Sequence, residues 1–133
     1  MIGPVHHVGA AVRQLEPAIE RYRQFGLQLD YVETVAAAGV RVAFLRTSGV
    51  HLELVEPLEP GGPVARFIES RGEGLHHVAF ATEDIASELA RLGDEGFELV
   101  DRAPRPGARG RLVAFVHPRS THGVLIELVQ ERR

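Results

Sequence analysis

Two histidines and two glutamates stand at matching places in two similar stretches of the sequence. His7 lies in the segment VHHVGAAV, and His77 follows 70 positions later in LHHVAFAT. Glu53 lies in HLELVE, and Glu127 follows 74 positions later in LIELVQ. Each half of the chain therefore supplies one histidine and one glutamate. Two imidazoles and two carboxylates that converge on one point would bind a divalent metal ion.

The carboxylates have two interpretations. Side chains alternate between the faces of a strand, and both Glu53 and Glu127 are flanked by apolar residues. A carboxylate among apolar residues is costly unless it is paired or binds a metal, but each could also lie on a solvated face of its sheet. Because the two glutamates occupy equivalent places and are matched to two histidines, we favour metal ligation. His51 shares the face of Glu53 and could line the same site.

The remaining histidines and a group of arginines are weaker candidates. His6 and His76 should point away from the ligand face, and two others flank a turn: His117 and His122. Four arginines lie within ten residues: Arg102, Arg105, Arg109 and Arg111. They could clamp a phosphate or carboxylate, with Arg105 and Arg109 as the first candidates, or they could belong to a solvated loop.

The elements that must position these residues follow from apolar periodicity. In the first half we expect strands over 5–12, 27–31, 40–45 and 50–55, a helix that begins at Glu16–Pro17 and stops at Gly26, and a short helix over 63–71. In the second half we expect strands over 75–82, 97–100, 111–117 and 124–130, a helix from a cap at 82–84 to Leu92, and a loop over 101–110. Both halves thus read strand, helix and three strands.

The repeat predicts an α+β fold of two βαβββ modules, about 1–60 and 73–133, related by a pseudo-twofold within a single domain, 1–133. Neither module could bury its apolar sheet face alone. A cleft between the sheets would then hold the metal site.

The composition excludes several kinds of site and several classes of function. The chain has 133 residues, a net charge of −3 and no cysteine, so any metal must be held by histidine and carboxylate. All 15 basic residues are arginine, which excludes a lysine Schiff base. Nucleic acid is not an expected partner of an acidic chain. No apolar run approaches the roughly 18 residues of a membrane span, and the N-terminus lacks a signal-peptide pattern, so we expect a cytoplasmic protein.

Paired βαβββ modules with His and Glu strands resemble the vicinal oxygen chelate superfamily, which includes glyoxalase I and extradiol dioxygenases. Within it, nearly the whole chain is most similar to the methylmalonyl-CoA epimerases. The most specific segments are RGEGLHHVAF, over 71–80, and GVLIEL, over 123–128.

The resemblance implies metal-dependent epimerisation of methylmalonyl-CoA at C2 through a metal-stabilised enolate. It implies metal ligands at His7, His77 and Glu127, with a fourth at Glu53, and one divalent ion: Co, Mn, Ni, Zn, Fe or Mg. Glu127 is the first candidate for the base, with Glu53 as a further catalytic candidate. Some epimerases carry a glutamate thought to act as a base where this chain has Val42, so the second base is unassigned.

The resemblance also implies an acyl-CoA substrate and a homodimer. The alternatives are a glyoxalase I-like isomerase or another metalloenzyme of the superfamily, a dioxygenase, and a non-catalytic binder of a small ligand. A fourth ligand counts against a dioxygenase, which usually uses two histidines and one carboxylate.

Overall fold

The computed structural model describes residues 1–132, which fall into two compact units. The first unit is residues 7–76, and the second combines residues 1–6 with the chain from His77 onward. The N-terminal residues belong to the second unit because they bond to one of its strands. The Gly3 amide donates to the Ala81 carbonyl at 2.8 Å, and the Ala81 amide donates to the Pro4 carbonyl at 2.9 Å.

The first module has its elements in the predicted order. They are β1 (Val5–Ala11), α1 (Leu15–Phe25), β2 (Gln28–Val35), β3 (Val40–Arg46), β4 (His51–Pro57) and α2 (Pro63–Arg71). Its strands are arranged β2-β3-β4-β1. β1 and β4 are parallel, whereas the other neighbours are antiparallel. Gly26 ends α1 with a positive φ of 124°, a conformation that suits glycine because it has no Cβ.

The second module repeats this plan. Its elements are β5 (Gly74–Ala81), α3 (Ile85–Asp94), β6 (Arg105–Pro106), β7 (Leu112–Val116) and β8 (Ile126–Gln130). The strand order is β5-β8-β7-β6, again with one parallel pair, β5 and β8, and antiparallel neighbours beyond it. The Asp84 carboxylate caps α3 by accepting a hydrogen bond from the Ser87 amide at 3.1 Å. The prediction of an α+β fold with two βαβββ modules is confirmed.

Two local predictions in the second module are wrong. The strand expected over 97–100 is reduced to a single bridge between Leu99 and Val116, because the Asp101 carboxylate accepts the Phe115 amide hydrogen bond at 2.9 Å. The expected loop over 101–110 contains the fourth strand, β6, and a short 3-10 turn, Ala108–Gly110. A single bridge and a two-residue strand are both too short for the alternation of apolar and polar residues to predict them.

Each long helix covers one face of the sheet in its own module. In the first module, Leu15 and Ile19 pack against buried residues of the strands: Ala43, Leu45 and Leu54. In the second, Ile85, Leu89 and Leu92 pack against Ala114, Val116 and Leu128. Burying a side chain of this size contributes about 1.5–3 kcal/mol. No helix among residues 1–132 is long and apolar enough to cross a membrane.

A β-bulge at Asp30 changes which residues of β2 share a face. Leu29 pairs with Leu45, but Tyr31 pairs with Phe44, so Asp30 is an extra residue in β2. The sequence predicts that Leu29 and Tyr31 share one face, and this is wrong because one inserted residue reverses the alternation. Leu29 therefore lies on the helix-covered face with Leu45, whereas Tyr31 lies on the opposite face.

Candidate metal centre

His7 and Glu53 form a buried pair in the first unit. Glu53 on β4 lies opposite Gly9 of the parallel strand β1, and His7 points to the same face as Gly9 because it is two residues away. The Nε2 atom of His7 lies 3.3 Å from Oε1 of Glu53. The two residues are only 3% and 8% exposed. Gly9 places no side chain on this face beside Glu53.

His77 and Glu127 form the equivalent pair in the second unit. Glu127 on β8 lies opposite Ala79 of the parallel strand β5, and the His77 Nε2 atom lies 3.2 Å from Glu127 Oε1. These residues are 6% and 7% exposed. The two units thus build the same pair with the same spacing, and a small residue, Gly9 or Ala79, stands next to each glutamate.

One phenylalanine supports each pair. Phe44 lies directly opposite Glu53 across β3 and β4, and its ring meets the His7 ring edge to face with centroids 5.2 Å apart. Phe115 lies opposite Glu127, and its ring is 5.7 Å from that of His77 in the same geometry. Each phenylalanine therefore limits the rotation of its histidine. The tripeptide Val-Ala-Phe occurs in both halves of the sequence, at 42–44 and 113–115, and this repeat is the signal that could have revealed the role of the two phenylalanines.

Both pairs have the spacing of metal ligands. Two donor atoms about 2.1 Å from an ion and at right angles to each other lie about 3 Å apart, close to the two N–O separations found here. Buried carboxylates are costly without a cation or hydrogen-bond donors. Imidazole nitrogen with carboxylate oxygen is a donor set that suits Mn, Fe, Co, Ni and Zn. Each pair, His7 with Glu53 and His77 with Glu127, therefore offers an imidazole nitrogen and a carboxylate oxygen to a metal ion.

Further polar and aromatic groups lie on the same face as the first pair. Tyr31 stacks on Phe44 with centroids 4.9 Å apart and rings 13° from parallel. His51 lies opposite His7 in the parallel pairing, and its Nε2 atom is 3.5 Å from Oδ2 of Asp30. The prediction that His51 shares the face of Glu53 agrees with this register. Tyr31 was missed as a site residue because only the bulge at Asp30 brings it to this face.

The four arginines of 102–111 have different surroundings. Arg105 Nε lies 3.2 Å from Asp101 Oδ1, and its guanidinium carbon is 5.5 Å from the centroid of the Phe115 ring. That ring also contacts His77, so the Phe115 side chain lies between Arg105 and the second pair. The Arg105 side chain is nevertheless 40% exposed. This position suits a group that binds an anion near the pair. Arg102 and Arg109 are exposed.

Arg111 is engaged within the protein. Its Nε atom donates to Oε1 of Glu131 at 2.9 Å, and the same oxygen is 2.6 Å from Nε2 of His6. Burial acts to raise the pKa of Glu131, but the His6 hydrogen bond and the Arg111 charge outweigh it and hold the pKa below its ordinary value. An ionised Glu131 therefore balances the charge of Arg111.

The other predicted histidines lie outside the two pairs. His76 packs edge to face against Phe67 of α2, with centroids 4.9 Å apart. His117 accepts a hydrogen bond from the Arg119 amide at 3.0 Å and so caps a short 3-10 turn. His122 ends that turn with a left-handed backbone. These contacts give His76, His117 and His122 structural roles.

Comparison with known proteins places these features in a family. A profile of the Glyoxalase/Bleomycin resistance protein/Dioxygenase superfamily matches residues 6–115. The chain belongs to this superfamily. The matched range includes three of the four paired residues and excludes Glu127.

Relatives within the superfamily cover almost the whole chain. An ethylmalonyl-CoA/methylmalonyl-CoA epimerase of Cereibacter sphaeroides is 36% identical over 98% of this chain and 99% of its own length. An uncharacterised Bacillus subtilis protein, YqjC, is 42% identical over 95% of this chain and 91% of its own. A methylmalonyl-CoA epimerase solved with methylmalonyl-CoA and NH4+ superimposes with a TM-score of 0.93 at 34% identity, covering 98% of this chain and 96% of that one. The fold is therefore the vicinal oxygen chelate fold of such superfamily members.

Proposed function

We propose that this protein is a metal-dependent isomerase that epimerises methylmalonyl-CoA at C2. The observation that carries the proposal is the duplicated buried pair, His7 with Glu53 and His77 with Glu127, in a chain 36% identical along its length to an ethylmalonyl-CoA/methylmalonyl-CoA epimerase. The epimerase solved with methylmalonyl-CoA supports an acyl-CoA substrate. The homodimer and the cytoplasmic location remain predictions.

We propose that both pairs together hold one divalent ion. The donor set fits, because each pair presents a buried imidazole nitrogen and a carboxylate oxygen at ligand spacing. Phe44 and Phe115 fix the two histidine rings, which reduces the conformational freedom that the ligands lose on binding. When bound, the ion would stabilise the negative charge that develops on the thioester oxygen, an effect that can contribute several kcal/mol.

Glu127 is the proposed group that removes the α-proton. It is nearly buried, so water competes little for its carboxylate, and it stands beside the small residue Ala79. Glu53 occupies the equivalent position beside Gly9 and is the second candidate. A carboxylate that both binds a cation and accepts a proton must keep one oxygen for each task, which the two oxygens of a glutamate allow.

Arg105 is proposed to bind an anionic group of the substrate, with Arg109 as a further contact. The side chain of Arg105 is positioned by Asp101 and by the face of Phe115. A guanidinium has five N–H donors, so the contact with Asp101 leaves donors for a carboxylate or phosphate.

The proposal is tested by hydrogen exchange at C2. The purified protein, loaded in turn with Co²⁺, Mn²⁺, Ni²⁺, Zn²⁺, Fe²⁺ or Mg²⁺, is incubated with each epimer of methylmalonyl-CoA in D₂O. Mass spectrometry follows deuterium at C2, and chiral analysis follows inversion. We expect exchange and inversion with at least one ion and neither after chelation. Absence of exchange with every ion would contradict the proposed function, and hemithioacetal isomerisation by the same samples would favour the glyoxalase I-like alternative.

A further inference from the structure

The carboxylate of Asp101 contacts two different parts of the second unit. Its Oδ2 atom accepts a hydrogen bond from the Phe115 amide of β7 at 2.9 Å. Its Oδ1 atom lies 3.2 Å from the Nε atom of Arg105 in an ion pair. Asp101 therefore joins the backbone of Phe115 to the side chain of Arg105, to which the proposed function gives a role in substrate binding.

The ring of Phe115 contacts the same guanidinium. The guanidinium carbon of Arg105 lies 5.5 Å from the ring centroid, within the range of a cation–π contact. The same ring meets the His77 ring edge to face at 5.7 Å. Arg105 is thus fixed relative to a ligand candidate by one carboxylate and one aromatic ring, and all four residues belong to the same unit.

The backbone around Arg105 is anchored as well. Arg105 pairs with Val113 in the antiparallel strands β6 and β7. Gly107 packs so closely on the same valine that a Cβ at this position would lie 2.8 Å from Val113 Cγ1, and its amide donates to the Arg111 carbonyl at 2.8 Å. Because the backbone is held in this way, the freedom that remains to Arg105 is that of its long side chain, which Asp101 restricts.

Stability alone does not account for the ion pair. The side chains of Arg105 and Asp101 are 40% and 17% exposed, and ion pairs open to solvent contribute little to the free energy of unfolding. The strand uses only the carboxylate oxygen that accepts from Phe115. The other oxygen contacts Arg105 through Nε, so the two terminal nitrogens can form a fork for the two oxygens of a carboxylate or phosphate.

We infer that Asp101 is a positioning residue that orients the Arg105 guanidinium toward an anionic group of the substrate, an inference that rests on the proposed function. An arginine side chain that is ordered before the substrate arrives loses less conformational entropy on binding. Asp101 supplies this order from one side of the guanidinium, and the Phe115 ring supplies it through a second contact.

The test replaces Asp101 with asparagine. Asp101→Asn removes the negative charge beside Arg105 but keeps an oxygen that can accept from the Phe115 amide. The metal-loaded variant is assayed for hydrogen exchange at C2 of methylmalonyl-CoA. We expect KM to rise by about 3- to 10-fold, as for the loss of order in one long side chain, with kcat nearly unchanged. Asp94→Asn makes the same change at an exposed position and should leave both constants unchanged.

A second substrate identifies the anionic group. Methylmalonyl-pantetheine keeps the acyl carboxylate but lacks the phosphates of coenzyme A. A higher KM of Asp101→Asn for both substrates would support the inference and assign the acyl carboxylate to Arg105. A higher KM for methylmalonyl-CoA alone would support it and assign a phosphate.

A double-mutant cycle with Arg105→Gln distinguishes positioning from a structural effect. When Arg105 is already replaced, Asp101→Asn should raise KM no further, whereas a general disturbance of β7 would act in both backgrounds. Metal content and thermal midpoint should match wild type in each variant. An equal rise of KM in both backgrounds, or a wild-type KM of Asp101→Asn, would overturn the inference while the proposed function stands. No exchange by the wild-type protein would overturn both.

Discussion

Phe115 lies directly opposite Glu127 across β7 and β8, and its ring edge also faces the ligand candidate His77. One aromatic side chain therefore contacts both members of a pair whose residues are 50 positions apart in the sequence. The same relationship holds for Phe44 in the first unit. Residues that orient metal ligands typically change metal affinity by 10- to 100-fold when replaced.

Replacing Phe115 with leucine should weaken metal binding more than it weakens the fold. Leucine keeps an apolar side chain but removes the edge-to-face contact with His77 and the ring under Arg105. We therefore expect about a tenfold loss of Co²⁺ affinity and a loss of about 1 kcal/mol of stability. Metal titration and thermal unfolding measure the two effects. Phe97→Leu is the matched control, because Phe97 packs against the α3 core. Equal Co²⁺ affinity in F115L and wild type would contradict this role.

Removing both histidine ligands should abolish stoichiometric metal binding. His7→Ala and His77→Ala each delete one nitrogen donor, and we expect the double variant to retain cooperative unfolding, since most of the apolar core lies under α1 and α3. Metal content after dialysis, measured by inductively coupled plasma mass spectrometry, checks the result. His122→Ala, at an exposed turn position, should bind metal normally. A double variant with full metal occupancy would rule out this ligand assignment.

Neutralising Arg105 and Arg109 should affect substrate binding more than the chemical step. We expect the double variant R105Q/R109Q to raise KM about tenfold or more, as for loss of a charge-assisted hydrogen bond, with a smaller change in kcat. The reason is that contacts to a distant anionic group are shared by ground and transition states. Arg21→Gln, on the exposed face of α1, serves as the control. An unchanged KM would indicate that the segment 102–111 is a solvated loop with no role in substrate binding.

Glu127→Gln should separate proton removal from metal binding. Glutamine keeps the size and one oxygen ligand but loses basicity, so the variant should still bind metal and substrate. We expect α-proton exchange to fall by at least about 10²-fold, measured as deuterium incorporation at C2 with metal content determined on the same sample. Retained exchange with loss of metal would mean that Glu127 is only a ligand and that Glu53 is the next candidate for the base.

The duplicated plan and the chemistry of the donor atoms could be predicted from the amino-acid sequence. Apolar periodicity and the repeated His and Glu segments are local patterns, so they predicted the βαβββ order and α2. The absence of cysteine limited any metal to histidine and carboxylate ligands. These features can be predicted without knowing which strands are neighbours in the sheet.

Which side chains contact each other depends on the tertiary structure. The bulge at Asp30 turned Tyr31 and Glu33 to the face of Glu53, and strand register put Phe115 opposite Glu127. Arg111 was predicted among substrate-binding candidates, yet it pairs with Glu131, which lies 20 residues away. The physical reason is that side-chain direction in a sheet reverses with a shift of one residue, so contacts between distant segments depend on a register that no local pattern encodes.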